Sequence, residues 1–127
     1  MNVAYVDSSC LVGLAFDEPA AKRIGRRLLQ FDRLVSSNLL EAELRSALVR
    51  EGASADPGSL LEGVGWIYPD RPLSGEFERI AAAGYVKGAD LWHLACALFI
   101  DAEAEGLSFL TLDRRQGEVA AVLGFRR

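Results

Sequence analysis

Four short apolar, β-prone runs alternate with stretches whose apolar residues recur at helical spacing, and few architectures accept that pattern. The runs are Asn2–Val6, Arg33–Ser36, Trp66–Tyr68 and Leu107–Leu110. Each is too short for a helix and is bounded by turn or capping residues. Between them lie helical patterns. Ser8 to Phe16 is a short one. A second follows Pro19 to Phe31, with Ile24, Leu28 and Phe31 in phase. Leu39–Glu51 carries Leu40, Leu44, Ala47 and Leu48 on one face, with Ser36, Ser37 or Asn38 as its cap. Ser59–Val64 reads as a short helix and Ser74–Ala83 as a longer one closed by Gly84. The most apolar helix starts at Ala89 or Asp90, and the last spans Asp113–Leu123 with Gly124 as its stop. Strands that alternate with helices predict an α/β sandwich, three layers deep, around a mainly parallel sheet of four to five strands.

A chain of 127 residues without a long linker or an internal repeat is one domain, residues 1–127. Half of it is hydrophobic, enough for a real core. No run approaches the roughly 18 apolar residues of a membrane span. The start, Met-Asn-Val-Ala-Tyr-Val-Asp, lacks a basic leader and an apolar signal core, so a cytoplasmic location is expected. Cys10 and Cys96 have no metal-ligand spacing and sit in apolar runs, which predicts buried free thiols.

The net charge of −4 argues against a passive nucleic-acid coat, which would be basic. It does not argue against a nuclease, because bound divalent cations would offset an acidic pocket. Twelve of the 14 basic residues are arginine, the side chain suited to bidentate phosphate contacts. They cluster at Arg23-Arg26-Arg27, Arg114-Arg115 and Arg126-Arg127. Solvated helix faces and a frayed tail account for the same clusters.

In a parallel sheet, functional groups gather beyond the carboxyl ends of the strands. Asp7 directly follows the first strand and Asp113 the last, after Thr111-Leu112. Asp90 opens the apolar helix, and Glu41 and Glu43 lie in the first turns of another. All three aspartates also stand where helix N-caps stand. Helical periodicity does not separate Glu41 from Glu43. If the carboxylates converge, they repel one another unless a cation holds them. Hard oxygen ligands suit Mg²⁺ or Mn²⁺, and such ions promote phosphodiester hydrolysis. His93 has no Cys or His partner for zinc and reads as a hydrogen-bonded core residue. Phosphate-binding glycine loops and a serine-nucleophile elbow are absent.

Four segments, in order, resemble the motifs of the PIN-domain ribonucleases, in particular the VapC-type toxins of toxin–antitoxin pairs. They are Tyr5-Val6-Asp7-Ser8-Ser9-Cys10-Leu11-Val12, Glu41-Ala42-Glu43-Leu44-Arg45-Ser46-Ala47-Leu48, Ala89-Asp90-Leu91-Trp92-His93-Leu94-Ala95-Cys96-Ala97, and Phe109-Leu110-Thr111-Leu112-Asp113-Arg114-Arg115. Leu91 departs from the alanine often found there, and the short fifth strand of the family is truncated or reduced. The resemblance implies a PIN-like fold and an acidic set of Asp7, Glu43, Asp90 and Asp113. Asp7, Asp90 and Asp113 would bind Mg²⁺ or Mn²⁺, while Ser8 and Thr111 would orient ligands or water. The choice of Glu43 over Glu41 rests on that alignment. It further implies an RNA substrate, a homodimer and a cognate antitoxin that reaches into the acidic groove. Two rivals are weighed. A non-catalytic interaction domain would not need a full acidic set. A phosphoacceptor receiver domain would need adjacent acids after the first strand and a lysine after a late one, and Ser8-Ser9 follow Asp7 instead.

Overall fold

The computed structural model describes all residues, 1–127. Its strands are β1 (Val3–Val6), β2 (Arg33–Ser37), β3 (Val64–Ile67) and β4 (Ser108–Leu110). Its helices are α1 (Ser8–Ala15), α2 (Ala21–Leu28), α3 (Leu39–Arg50), α4 (Pro57–Leu61), α5 (Ser74–Ala83), α6 (Gly88–Ile100) and α7 (Arg114–Leu123). All strand pairs are parallel, in the order β3-β2-β1-β4. No helix is long and apolar enough to cross a membrane.

Strand alternation divides the core in two. Ala4 and Val6 face α1, α2 and α3, packing on Leu11, Ile24, Leu40 and Leu44. Tyr5 faces the other way, with Phe109, onto Ile80, Leu94 and Val119 of α5, α6 and α7. Successive strand side chains point to opposite faces, so one sheet four strands wide supports two apolar layers.

Several boundaries differ from the sequence expectation, each for a local reason. Helix α2 ends at Leu28, not Phe31, because the chain tightens: Gln30 and Phe31 donate to carbonyls three residues back. The short helix lies at Pro57–Leu61 rather than Ser59–Val64. Asp56 caps it by accepting from Gly58 N–H at 3.1 Å, and Pro57 fits its first position. Gly63, at φ 83°, then turns the chain so that Val64 enters β3. Gly65 hides this strand's start from propensity, while Tyr68, exposed, lies beyond its end. At α3 two of the expected cap candidates share the role: Asn38 occupies the cap position and the Ser37 hydroxyl accepts the Leu39 N–H. The fifth strand is reduced to one parallel bridge between Ser108 and Arg126, with Phe109 N–H donating to Arg126 O at 2.7 Å.

The approach to β4 depends on Asp101, whose carboxylate accepts the N–H groups of Glu105, Gly106 and Leu107. Burial alone would push this carboxyl up, but those donors outweigh it and hold it below the usual carboxylate range. A depressed carboxyl contributes stability above its unfolded pKa and loses it as pH falls through the folded value. Asp101→Ala should therefore lower stability by about 2 kcal/mol at neutral pH, read by urea or thermal unfolding. The gap to wild type should shrink on acidification, and an unchanged midpoint at neutral pH would remove Asp101 from this role.

Candidate active site

The strand order reverses around β1. Helices α1 to α4 pack on one face, and the chain then crosses so that α5 to α7 cover the other. The segments leaving β1 and β4 thus diverge to opposite faces, the position at which sheets of this topology form a crevice at the carboxyl edge. Asp7 follows β1 and Asp113 follows β4 at that edge.

Asp7 is buried, 3% exposed. Its Oδ1 accepts from Ser9 N–H at 3.1 Å and Ser9 Oγ at 2.5 Å, and its Oδ2 accepts from Thr111 Oγ1 at 2.6 Å. Both hydroxyls accept in turn from the backbone after β4: Ser9 Oγ from Leu112 N–H, Thr111 Oγ1 from Asp113 N–H. The carboxylate is therefore clamped between two hydroxyl bridges that join the loops after β1 and β4. Burial raises the Asp7 carboxyl above the usual range, while the Ser9 and Thr111 hydrogen bonds oppose that rise. Ser8, expected from the sequence to orient a ligand, makes no side-chain hydrogen bond; the hydroxyl at the carboxylate is that of Ser9, two residues on, at the donor position an Asp cap selects.

Asp113 caps α7, with Oδ1 accepting from Gln116 N–H at 2.9 Å. The buried Gln116 side chain reaches past it to donate to Asp90 O at 3.3 Å. That contact fixes the start of α6 against α7. Its sequence signal is the Asp-x-x-Gln spacing at a helix start. Asp90 is not a cap, in contrast to the sequence reading. The cap position of α6 is Lys87, and Asp90 lies inside the first turn, where a carboxylate is favoured by the helix dipole. Neither carboxylate oxygen of Asp90 accepts a hydrogen bond from the protein, although its backbone carbonyl does. Its carboxyl is raised by burial, then by repulsion from Asp113 and, more weakly, Glu43, against the pull of Lys87 and His93.

The structure separates the two glutamates of α3. Glu41 lies outside, paired with Arg45 at 2.7 Å one helical turn on. Glu43 turns inward, its Oε1 2.6 Å from His93 Nε2. His93 Nδ1 lies 2.7 Å from the Tyr5 hydroxyl, which accepts the Ser37 N–H. An ionised Glu43 can only accept, so Nε2 carries a proton. The Tyr5 hydroxyl, which accepts from Ser37, has Nδ1 as its other partner, so His93 bridges Tyr5 and Glu43. Tyr5 is held far above the usual phenol range by burial. Both cysteines are buried and free, with burial pushing Cys10 up and Cys96 to about 11, so neither supplies a thiolate.

The donor set fits a hard divalent cation in kind: carboxylate oxygens on one edge, with mutual repulsion at Asp90 for a cation to relieve. It is looser than a closed coordination shell, since no three His, Cys, Asp or Glu side chains stand together as a metal cage.

A PIN-domain family model matches residues 4–122. The chain belongs to the PIN-domain family. PIN domains are generally metal-dependent nucleases, and the four-stranded parallel sheet between helices agrees with the PIN fold. No curated protein and no solved structure matches the chain.

The repulsion at Asp90 predicts a stability signature of this PIN domain. A carboxyl raised in the folded state favours folding below its unfolded pKa, and that contribution is lost as pH rises through the folded value. With chelator present, Asp90→Asn should melt above wild type at neutral pH. The difference should close as acidification protonates the wild-type carboxyl. Melting at or below wild type at neutral pH would show that the repulsion is not felt.

Proposed function

We propose that the protein is a metal-dependent endoribonuclease and the toxin of a VapC-type toxin–antitoxin pair. The observation that supports this most is Asp90. Its carboxylate has no hydrogen-bond partner in the protein and is raised by burial and by its neighbours Asp113 and Glu43.

Asp7, Asp90 and Asp113 would hold Mg²⁺ or Mn²⁺, with Glu43 assisting. A bound ion of this kind supplies a more acidic water and stabilises charge gathering on a phosphoryl group. The chain's own groups set the stage for it. Ser9 and Thr111 fix the Asp7 carboxylate, His93 orients Glu43, and Gln116 ties the Asp90 backbone to the helix that Asp113 caps. In the reaction, water adds to phosphorus and the P–O3′ bond breaks, which leaves 5′-phosphate and 3′-hydroxyl ends. The family resemblance extends the proposal to a homodimer in the cytoplasm and to an antitoxin whose arginine would meet the carboxylates in bidentate fashion.

A second reading, a non-catalytic PIN domain that binds a partner, draws on the absence of a closed metal cage. Cleavage of RNA in Mn²⁺ decides between them. Asp113→Asn is the informative variant, because Asn remains a good helix cap while the charge is lost. It should retain the wild-type melting temperature and lose about a hundredfold or more in cleavage. Asp7→Asn should behave likewise in cleavage. Equal cleavage by wild type and both variants, or none by pure wild type, would sink the nuclease reading.

A further inference from the structure

Three arginine clusters lie far apart in the chain, around Arg23, Arg114 and Arg126. The fold brings one or two members of each to a single groove of about 540 Å³ beside edge strand β4, lined by Arg23, Arg27, Arg114 and Arg127. The groove continues to Thr111 and Asp113, so its end is one wall of the acidic crevice. We infer that this groove is a subsite for the sugar–phosphate backbone of a single-stranded RNA, next to the phosphodiester that is cut; the inference rests on the nuclease reading above.

The charge balance carries the argument. Asp113 and Glu118 are the only acids on the lining, so positive charge is concentrated here in a chain of net charge −4. A cleft lined by one sign of charge raises the local concentration of the opposite sign. Acidic crevice and basic groove then divide the work: the first repels phosphates unless a cation is present, and the second attracts them without one.

The arginines are also held rather than loose. Arg27 stacks on Phe31, 4.6 Å from the ring centre, and donates to Gln30 and to Arg127 O. Arg127 donates to Gly117 O at 3.1 Å, and Arg114 to Glu118 at 3.1 Å. Arg23 makes no ion pair or side-chain hydrogen bond and lies exposed at the rim. Its five donors are open to a phosphate. Four arginines against two acids leave an excess of positive charge on the lining, which favours an anionic ligand over a neutral one.

Arg23 is the clean probe because no contact of the fold depends on it. Binding of a fluorescein-labelled single-stranded RNA to the full chain, read by anisotropy across a salt series without divalent cations, tests the groove. Arg23→Glu should weaken binding about three- to tenfold and reduce the salt slope by about 0.7 for the lost phosphate contact. Charge reversal at the exposed Arg45 of α3, outside the groove, should leave both unchanged. In Mn²⁺, Arg23→Glu should raise KM for RNA and leave kcat unchanged. Equal weakening by Arg23→Glu and Arg45→Glu would reduce the effect to net charge and overturn the assignment. So would cleavage by wild type with a KM that Arg23→Glu does not move, which leaves the nuclease reading intact. RNA binding that depends on Arg23 in a wild type that cleaves nothing would support the groove and remove the cleavage reading instead.

Discussion

A carboxylate without water needs donors, and the clamp on Asp7 is the contact on which the site depends. A buried carboxylate that lacks hydrogen bonds is expensive enough to be expelled or neutralised. Here Ser9 and Thr111 supply the donors, and each hydroxyl also receives a backbone N–H from the segment after β4. One side chain thereby sets the spacing of two loops that leave neighbouring strands for opposite faces of the sheet. It adds to the backbone bond from Asp7 N–H to Leu110 O, which joins the two strand ends at 3.2 Å. The same clamp places Asp113, whose N–H is fixed by Thr111 and whose carboxylate then caps α7.

A second buried chain acts from the other side. Tyr5 lies within β1 and its hydroxyl projects beneath α6, while Asp7 follows the strand end as the cap of α1. Through His93 that hydroxyl reaches Glu43 on α3, across the sheet. Ser37, which serves Tyr5, also accepts from Trp92 and from the first N–H of α3. All of these groups are satisfied and no buried side-chain polar atom is orphaned, which is the condition under which a buried network specifies one arrangement. Its outer member is a glutamate whose second oxygen has no hydrogen-bond partner in the protein. The network therefore orients a charge at the surface of the site from a fixed point in the core.

The strand and helix succession was readable in the sequence because apolar period and punctuation agree along most of the chain. It failed where they conflict. Gly65 weakens a strand by propensity yet pairs with Val35, and the turn after Leu28 keeps the helical apolar spacing while the backbone tightens. Among the acidic residues, Asp7, Asp90 and Asp113 were legible as candidates but not in their roles. Capping explains two of them locally, and position alone gives Asp90 the same appearance. Only the location of Lys87 at the cap shows that Asp90 is bound to no helix end and is left with both oxygens free. Glu41 and Glu43 were indistinguishable by periodicity. Their separation is made by partners, Arg45 one turn on for Glu41 and His93, fifty residues away, for Glu43. The i,i+4 pair was visible in the sequence; the long-range one was not.

These differences bear on what kind of site this is. Residues that only cap helices would be expected at rest, with each charge matched by a donor. Asp7 is in that condition, and Asp113 half so, since Oδ2 has no protein donor. Asp90 and the outer oxygen of Glu43 are not, and the Asp90 carboxyl is destabilised by its neighbours in consequence. Unrelieved repulsion in a folded protein lowers stability and persists where function uses it. The clamp on Asp7 is what makes the repulsion unavoidable, because it fixes the loop that carries Asp113, and Gln116 holds the first turn of α6 against that loop. Rigid hydrogen bonding and unsatisfied charge are therefore parts of one arrangement: the first holds the loops that carry Asp7 and Asp113, and the second leaves the Asp90 carboxylate without a protein donor.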